Sequence, residues 1–316
     1  MIETVVSVGY PVDETLHIKK NRLTPEKGLS GGEKRISIVT GTHGDELEGQ
    51  YVCYELQRRI RETPECLTGI VDVYPALNPL GIDSITRGIP GFDLDMNRTF
   101  PGSADGSMTE YLAQKIVEDL LGADLCLDIH ASNIYLTELP QIRINELHRD
   151  RLVPLAKRAN VDFIWVHGAN TVLESTLAYS LNSRGVPTLV VEMGVGMRLT
   201  VEYGQQLTDG IFTLMHDMGI WSGEVPAPRD PIISEVPEDV AYLNSPCSGI
   251  FLKKREHCAF VHAGEEIGSI LNPFLGEETA SILAPETGLL FTIREYPVVD
   301  EGSLLARIIK MEVPEV

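Results

Sequence analysis

His43 and Glu46 stand three residues apart in the run Gly41-Thr42-His43-Gly44-Asp45-Glu46, an imidazole and a carboxylate at a spacing that suits one divalent metal ion. Zinc favours that mixture of nitrogen and oxygen ligands, and a catalytic zinc keeps three protein ligands with a further position open. His130, in Leu127-Asp128-Ile129-His130-Ala131-Ser132, is the candidate third ligand. Arg87 and the dipeptide Asn97-Arg98 fall in and around a loop rich in glycine and proline. A guanidinium offers a carboxylate two parallel donors and an asparagine amide adds another, so the pair suits a carboxylate clamp. Glu192 directly follows the apolar run Leu189-Val190-Val191. A carboxylate ending a buried strand is penalised for ionising, which lifts its pKa toward the working range of a general base. Each residue alone has a plainer reading. His-x-x-Glu arises by chance, Asn-Arg braces loops, and a strand-end glutamate often makes a structural ion pair.

The elements around these residues decide where they meet. Ile36 to Val39 is strand-like and Leu47 to Ile60 helix-like, so His43 and Glu46 occupy a strand-to-helix turn, where α/β folds place their chemistry. His130 ends a second strand, 124–129, and Glu192 a third, 187–192. Further strands are expected over 35–40, 69–74 and 163–166. Helices are expected over 108–121, where Leu112, Ile116, Leu120 and Leu121 share a face, and over 202–218. This alternation argues for an α/β fold with a mixed central sheet and helices on both of its faces. Residues 1–34 read as short strands and turns ending in Gly28-Leu29-Ser30-Gly31-Gly32. That pentapeptide matches the G-x-S-x-G of serine hydrolases, but a strand follows it where a nucleophile elbow needs a helix, so it reads as a glycine turn.

Pro226, Pro228 and Pro231 mark 222–233 as a linker. Beyond it, 240–312 is a series of β-like runs with glycine turns. Ser245-Pro246-Cys247-Ser248-Gly249-Ile250-Phe251 resembles Ala284-Pro285-Glu286-Thr287-Gly288-Leu289-Leu290, and each copy leads to a further glycine, Gly264 or Gly302, and an apolar run. Two such halves resemble a barrel-sandwich hybrid, the fold of biotinyl and lipoyl carriers. Those carriers modify a lysine between the halves, and 271–283 contains none, so a structural or site-lining role is expected. The expected division is a catalytic domain over 1–225 and a β domain over 235–316.

The 316 residues leave room for a large core, and 43% apolar residues is ordinary for a globular protein. The net charge of −20 repels phosphate backbones and anionic lipid, so neither nucleic acid nor a membrane surface is an expected partner. Five cysteines without a C-x-x-C pair suit a reducing cytoplasm, with Cys53 and Cys126 as small buried hydrophobes. The first twenty residues lack the pattern of a signal peptide, and no run of 18 apolar residues occurs. The base rate for such proteins allows a homo-oligomer.

Taken in order, His43-x-x-Glu46, Asn97-Arg98, His130 and Glu192 resemble the succinylglutamate desuccinylase/aspartoacylase family, within the wider zinc carboxypeptidase-like group. The resemblance covers roughly 35–220, and the β tail is similar to the smaller C-terminal domain of that family. It implies one zinc ion held by His43, Glu46 and His130, with Glu192 as the base that deprotonates the attacking water. It implies Arg87 as the group polarising the scissile carbonyl, and Asn97 and Arg98 as the binders of a substrate α-carboxylate. Arg87 stands ten residues before Asn97, slightly farther than the family pattern. The family also carries an arginine upstream of the base that reads an acidic side chain, and here the matching position is Ala178, with Arg184 in the turn beyond. That departure weakens N-acetylaspartate and succinylglutamate as substrates. The expected activity is a zinc-dependent deacylase of a small N-acyl amino acid, a soluble cytoplasmic enzyme without an activated serine or cysteine. A zinc carboxypeptidase acting on short peptides and a catalytically silent binding protein are the rival readings. His148, His167, His216, His257 and His262 show no ligand spacing and read as solvated or structural.

Overall fold

A computed structural model of the chain describes residues 1–91, 94–168 and 174–312. Strand β1 (Ile2–Gly9) pairs antiparallel with β2 (Thr15–Leu23), which joins the edge of the main sheet. β3 (Arg35–Thr40) leads through the His43 turn into helix α1 (Glu48–Glu62), and β4 (Ile70–Tyr74) returns beside β3 in parallel. Short α2 (Pro79–Ser84) and α3 (Met108–Leu120) precede β5 (Leu125–Ala131), which pairs with β3 in parallel. β6 (Leu136–Asn145), α4 (Arg149–Ala156), β7 (Phe163–His167), α5 (Leu177–Asn182), β8 (Thr188–Gly194) and α6 (Val201–Asp217) complete the N-terminal α/β part. β8 pairs in parallel with β5 and antiparallel with β6, so the sheet is mixed, as the alternation of elements predicts.

The central strands are buried on both sides, which is why they read as continuous apolar runs. Ile36 and Ile38 of β3 pack with Val52, Leu56 and Ile60 of α1 and with Leu207 and Ile211 of α6. Val39 and Cys126 face the opposite side, against Leu112, Ile116 and Leu120 of α3 and Leu177 and Leu181 of α5. Ser107 opens α3 with a capping box closed by Glu110, satisfying two backbone donors that the first turn leaves unpaired. The predicted strands and helices lie where expected, with ends displaced by one or two residues. β6 is the long strand that the sequence reading passes over. The glycine turn at Gly28–Gly32 sits between β2 and β3 with no helix after it. Cys53 and Cys126 are buried, and desolvation pushes the Cys53 thiol up to about 12. Among the described residues no helix is long and apolar enough to cross a membrane.

Residues 223–231 lack regular structure, and β9 (Ile232–Ser234) then pairs with β7. The tail comprises β10 (Val240–Asn244), β11 (Gly249–Lys253), β12 (Phe260–Val261), β13 (Glu266–Asn272), β14 (Glu277–Leu283), β15 (Gly288–Arg294), β16 (Val298–Val299) and β17 (Leu304–Lys310). The weak repeat appears as internal two-fold symmetry. β11 pairs with β13 as β15 pairs with β17, and β10 with β17 as β14 with β13. β11 takes the short strand β16 from the other copy, as β15 takes β12. Under this symmetry the pair Tyr242–Arg307 corresponds to the pair Ser281–Ser269.

The tail does not stand apart from the main sheet. β15 pairs antiparallel with β6 through Thr292–Glu138, Ile293–Thr137 and Arg294–Leu136, so one half of the tail extends the sheet. Phe291, fully buried, packs at this seam with Leu139, Phe163 and Trp165. Phe291→Ala is expected to cost about 3–5 kcal/mol in urea unfolding by leaving a cavity. The loss is expected within one cooperative transition. Two separated transitions would show that the tail unfolds on its own.

Candidate active site

The turn after β3 is shaped by its glycines. Gly41 has φ of 67°, and a Cβ on Gly44 would lie 1.9 Å from the carbonyl carbon of Gly81. This close approach seats the turn on α2, whose N-cap Asn78 accepts from the Gly81 amide at 2.9 Å. His43 and Glu46 therefore point inward at the carboxyl edge of the sheet, both buried. On the neighbouring strand His130 is the register partner of Glu192 in β8, so the two project from the same sheet face.

Glu46 sits between the imidazoles. Its Oε1 lies 2.7 Å from His43 Nδ1 and its Oε2 2.9 Å from His130 Nδ1. The rings lie 5.1 Å apart, and ligand atoms of the three residues fall within 4.8 Å of one another. Each ring turns its other nitrogen to a carboxylate, His43 Nε2 to Asp95 at 3.0 Å and His130 Nε2 to Asp128 at 3.2 Å. Carboxylates behind imidazoles fix their orientation and raise their basicity as ligands. Burial opposes charge on both rings, but the carboxylates outweigh it and raise both pKa values. Burial would also raise Glu46, yet the two imidazoles hold it well below the usual carboxylate range. Two imidazole nitrogens and a carboxylate, dry and oriented from behind, are a donor set that fits a zinc-type ion.

The other residues singled out in the sequence lie around this cluster. Arg87 donates to Glu46 Oε1 at 2.9 Å and to Asp95 Oδ2 at 3.3 Å. Asn97 is buried, and its Oδ1 accepts from the Leu177 amide at 2.9 Å, which ties the Asn97 loop to α5. Arg98 lines the same cavity, a hollow of about 830 Å³ that also reaches Glu192. Burial pushes Glu192 up to about 7, against the opposing pull of Arg143, whose Nη1 lies 3.4 Å away. Ala178 is buried in α5, while Arg184 is exposed and donates to the Ser180 carbonyl at 2.9 Å, outside this cavity.

The cavity has an inner wall that the sequence reading missed. Glu138 is buried and accepts from Arg143 Nη2 at 2.8 and 3.1 Å and from Arg307 Nη1 at 2.5 Å. Arg307 and Tyr242 come from the tail and line the cavity with Arg143 and Asn145. His148 and His167, read from the sequence as solvated or structural, also line it. Burial, helped by Arg143 and Arg307, lowers His167 to about 4. The alternation Gln141-Ile142-Arg143-Ile144-Asn145 is a legible strand signal with one polar face. Nothing local to Arg307 foretells where it goes. Replacing Glu46 or His130 by alanine is expected to abolish stoichiometric metal uptake in elemental analysis of the folded protein, and wild-type affinity is expected to fall with acidification, because imidazole must be neutral to ligate.

Comparison with known proteins shows which family the chain belongs to. Residues 33–218 match the model of the succinylglutamate desuccinylase/aspartoacylase catalytic domain. The N-alpha-acetyl-L-2,4-diaminobutyric acid deacetylase of Halomonas elongata is 26% identical over 235 residues, which is 72% of this chain and 68% of that one. A product-bound structure of the ectoine utilization protein from Ruegeria pomeroyi superposes with a TM-score of 0.82 at 20% identity, covering 98% of this chain and 95% of that one. A succinylglutamate desuccinylase/aspartoacylase from Rhodobacter sphaeroides gives 0.77 at 25% identity, with 94% and 90% covered. A metallo-carboxypeptidase from Burkholderia cenocepacia shares the fold more distantly, at 0.52 and 14% identity over 69% of this chain and 64% of that one. With more than half its length matched by the family's catalytic domain, this chain belongs to the succinylglutamate desuccinylase/aspartoacylase family.

Proposed function

We propose that this protein is a zinc-dependent deacylase that hydrolyses the amide bond of a small N-acyl amino acid. The observation that carries the reading is the buried His43, Glu46 and His130 cluster with Glu192 on the adjoining strand, in register with His130. His43, Glu46 and His130 would hold the ion. A zinc ion there supplies electrophilic activation of water and of the amide oxygen. The deacetylase name of the Halomonas elongata relative supports the amide-hydrolysing class.

The protein's own groups supply the rest. Glu192 takes the proton of the attacking water and returns it to the leaving nitrogen. Burial alone would keep Glu192 protonated, and Arg143 at 3.4 Å favours the ionised form that the base needs. Arg98 and the amide of Asn97 hold the substrate α-carboxylate, a planar anion matched by guanidinium and amide donors. Arg87, beside Glu46, places positive charge where the amide oxygen becomes negative. In this reading 1–225 carries the chemistry and 235–316 closes the inner wall. That closure favours small substrates over peptides, because Tyr242 and Arg307 line the cavity itself.

Zinc-loaded protein is expected to release free amino acid from N-acyl amino acids, followed by amine detection. Glu192→Gln is expected to lower kcat by about 10²- to 10⁴-fold with metal content unchanged. Intact turnover in that variant would remove Glu192 from its role, and cleavage confined to blocked dipeptides would move the protein to the carboxypeptidase reading. The base must be ionised, so kcat/KM is expected to fall toward acid. The midpoint should lie at or below about 7, since a cation in the cluster draws Glu192 down from that value.

A further inference from the structure

From Asn97 and Arg98 the cavity wall follows helix α5 to the start of β8. Asn97 Oδ1 accepts from the Leu177 amide at 2.9 Å, so α5 begins at the pair, and Tyr179 of α5 lines the cavity beyond it. The far end of α5 is tied to β8 by Asn182, which donates to the Thr188 carbonyl at 3.0 Å and accepts from the Thr188 amide at 2.9 Å. Thr188, Val190 and Glu192 alternate along β8 and all line the cavity. Val190 stands two residues before Glu192, about 7 Å along the strand. In the proposed reaction Glu192 works beside the scissile amide while Asn97 and Arg98 hold the α-carboxylate. The side chain of the substrate branches from the carbon between those two groups, with the α5–β8 wall within its reach.

That wall is apolar where it is open. Val190 is half-buried, and among the described residues it belongs to none of the hydrophobic clusters of the core. The polar groups around it are engaged elsewhere. Asn182 is held by the Thr188 backbone, and the Thr188 hydroxyl donates to the Val186 carbonyl at 3.1 Å. The register partners of Val190 are Asp128 on β5 and Arg143 on β6. Asp128 is 1% exposed and stands behind His130. Arg143 and Arg307 face Glu138 and Glu192, so two cations meet two carboxylates, and both Nε groups are shut away from the cavity. Burial lowers the pKa of both His148 and His167, which leaves their imidazoles neutral at pH 7. A charged side chain placed here would give up its hydration for no partner, whereas an apolar one gains by leaving water.

We infer that Val190 and Tyr179 form the specificity-determining wall of a side-chain pocket, and that the substrate is the N-acyl derivative of an amino acid with an uncharged, largely apolar side chain. The inference rests on the deacylase reading for the reaction and on the α5–β8 wall for the side chain. Alanine at 178, in place of an arginine that would read an acid, fits the same pocket.

Pairs of equal shape and different charge test it. N-acetyl-L-leucine matches N-acetyl-L-aspartate in shape, and N-acetyl-L-norvaline matches Nα-acetyl-L-2,4-diaminobutyrate. With zinc-loaded protein, kcat/KM is expected to be about 10- to 100-fold higher for the neutral member of each pair. Val190→Ala removes apolar surface from the wall, and Val190→Thr keeps the branched shape but adds a hydroxyl. Each is expected to reduce the neutral-to-charged ratio severalfold, through loss of activity on the neutral member. The pocket is overturned if either charged member equals or exceeds its neutral counterpart, or if both folded Val190 variants keep the wild-type ratios. Failure of the deacylase reading is a separate result, namely hydrolysis of none of the four. Calorimetric binding of the same four ligands then decides the pocket, and equal or tighter binding of a charged member overturns it.

Discussion

A single dehydrated carboxylate organises this molecule. Glu46 is 4% exposed and carries negative charge with little of its surface open to water. An ionised carboxylate survives such burial only when its lone pairs are filled. His43 and Arg87 fill one oxygen, while His130 and the Ala131 amide fill the other. Behind the imidazoles stand two more carboxylates, Asp95 hydrogen-bonded to His43 and Asp128 an ion-pair neighbour of His130 at 3.2 Å. The array alternates acid and base from loop to turn to strand. The β3 turn, the Arg87 loop and β5 must therefore arrive together, and the close contact of Gly44 with Gly81 is one way the backbone enforces it.

The same logic, with the signs exchanged, governs the inner wall. Glu138 is nearly inaccessible and would be costly there alone, so it gathers Arg143 and Arg307. Arg143 also reaches toward Glu192, which links the wall to the group whose protonation is finely poised. The cavity is thus lined by two charge-compensated clusters with Glu192 between them. Neither cluster belongs to one segment of the chain.

Much of the frame was legible because its cues are local. The apolar runs at β3, β5 and β8 and the 3.6-residue periodicity of α3 are set by neighbours in sequence. The residues at those strand ends were legible for the same reason, since a parallel sheet brings its carboxyl ends to one crevice. The alternation of β6 was legible as a strand, but its polar face reads as a solvated one, whereas Gln141 is buried and Arg143 lines the cavity. Asp128 stands in the quoted His130 motif and Asp95 two residues before Asn97, yet their positions behind the imidazoles depend on rotamers that spacing does not encode. Arg307 was invisible for a stronger reason. Its place follows from the pairing of β15 with β6, a contact between segments about 150 residues apart that no local pattern specifies.

The two-fold symmetry of the tail gives that last residue a wider meaning. One half joins β6 and places Tyr242 and Arg307 in the cavity, while the other half carries Ser281 and Ser269 at the matching positions. The backbone needs both halves, because each lends a short strand to the other. Side chains at equivalent positions do not face equivalent surroundings. A repeated unit of this kind separates architecture from chemistry: one copy can change what it presents to a ligand while its twin keeps the scaffold, so the tail can be retuned without being refolded.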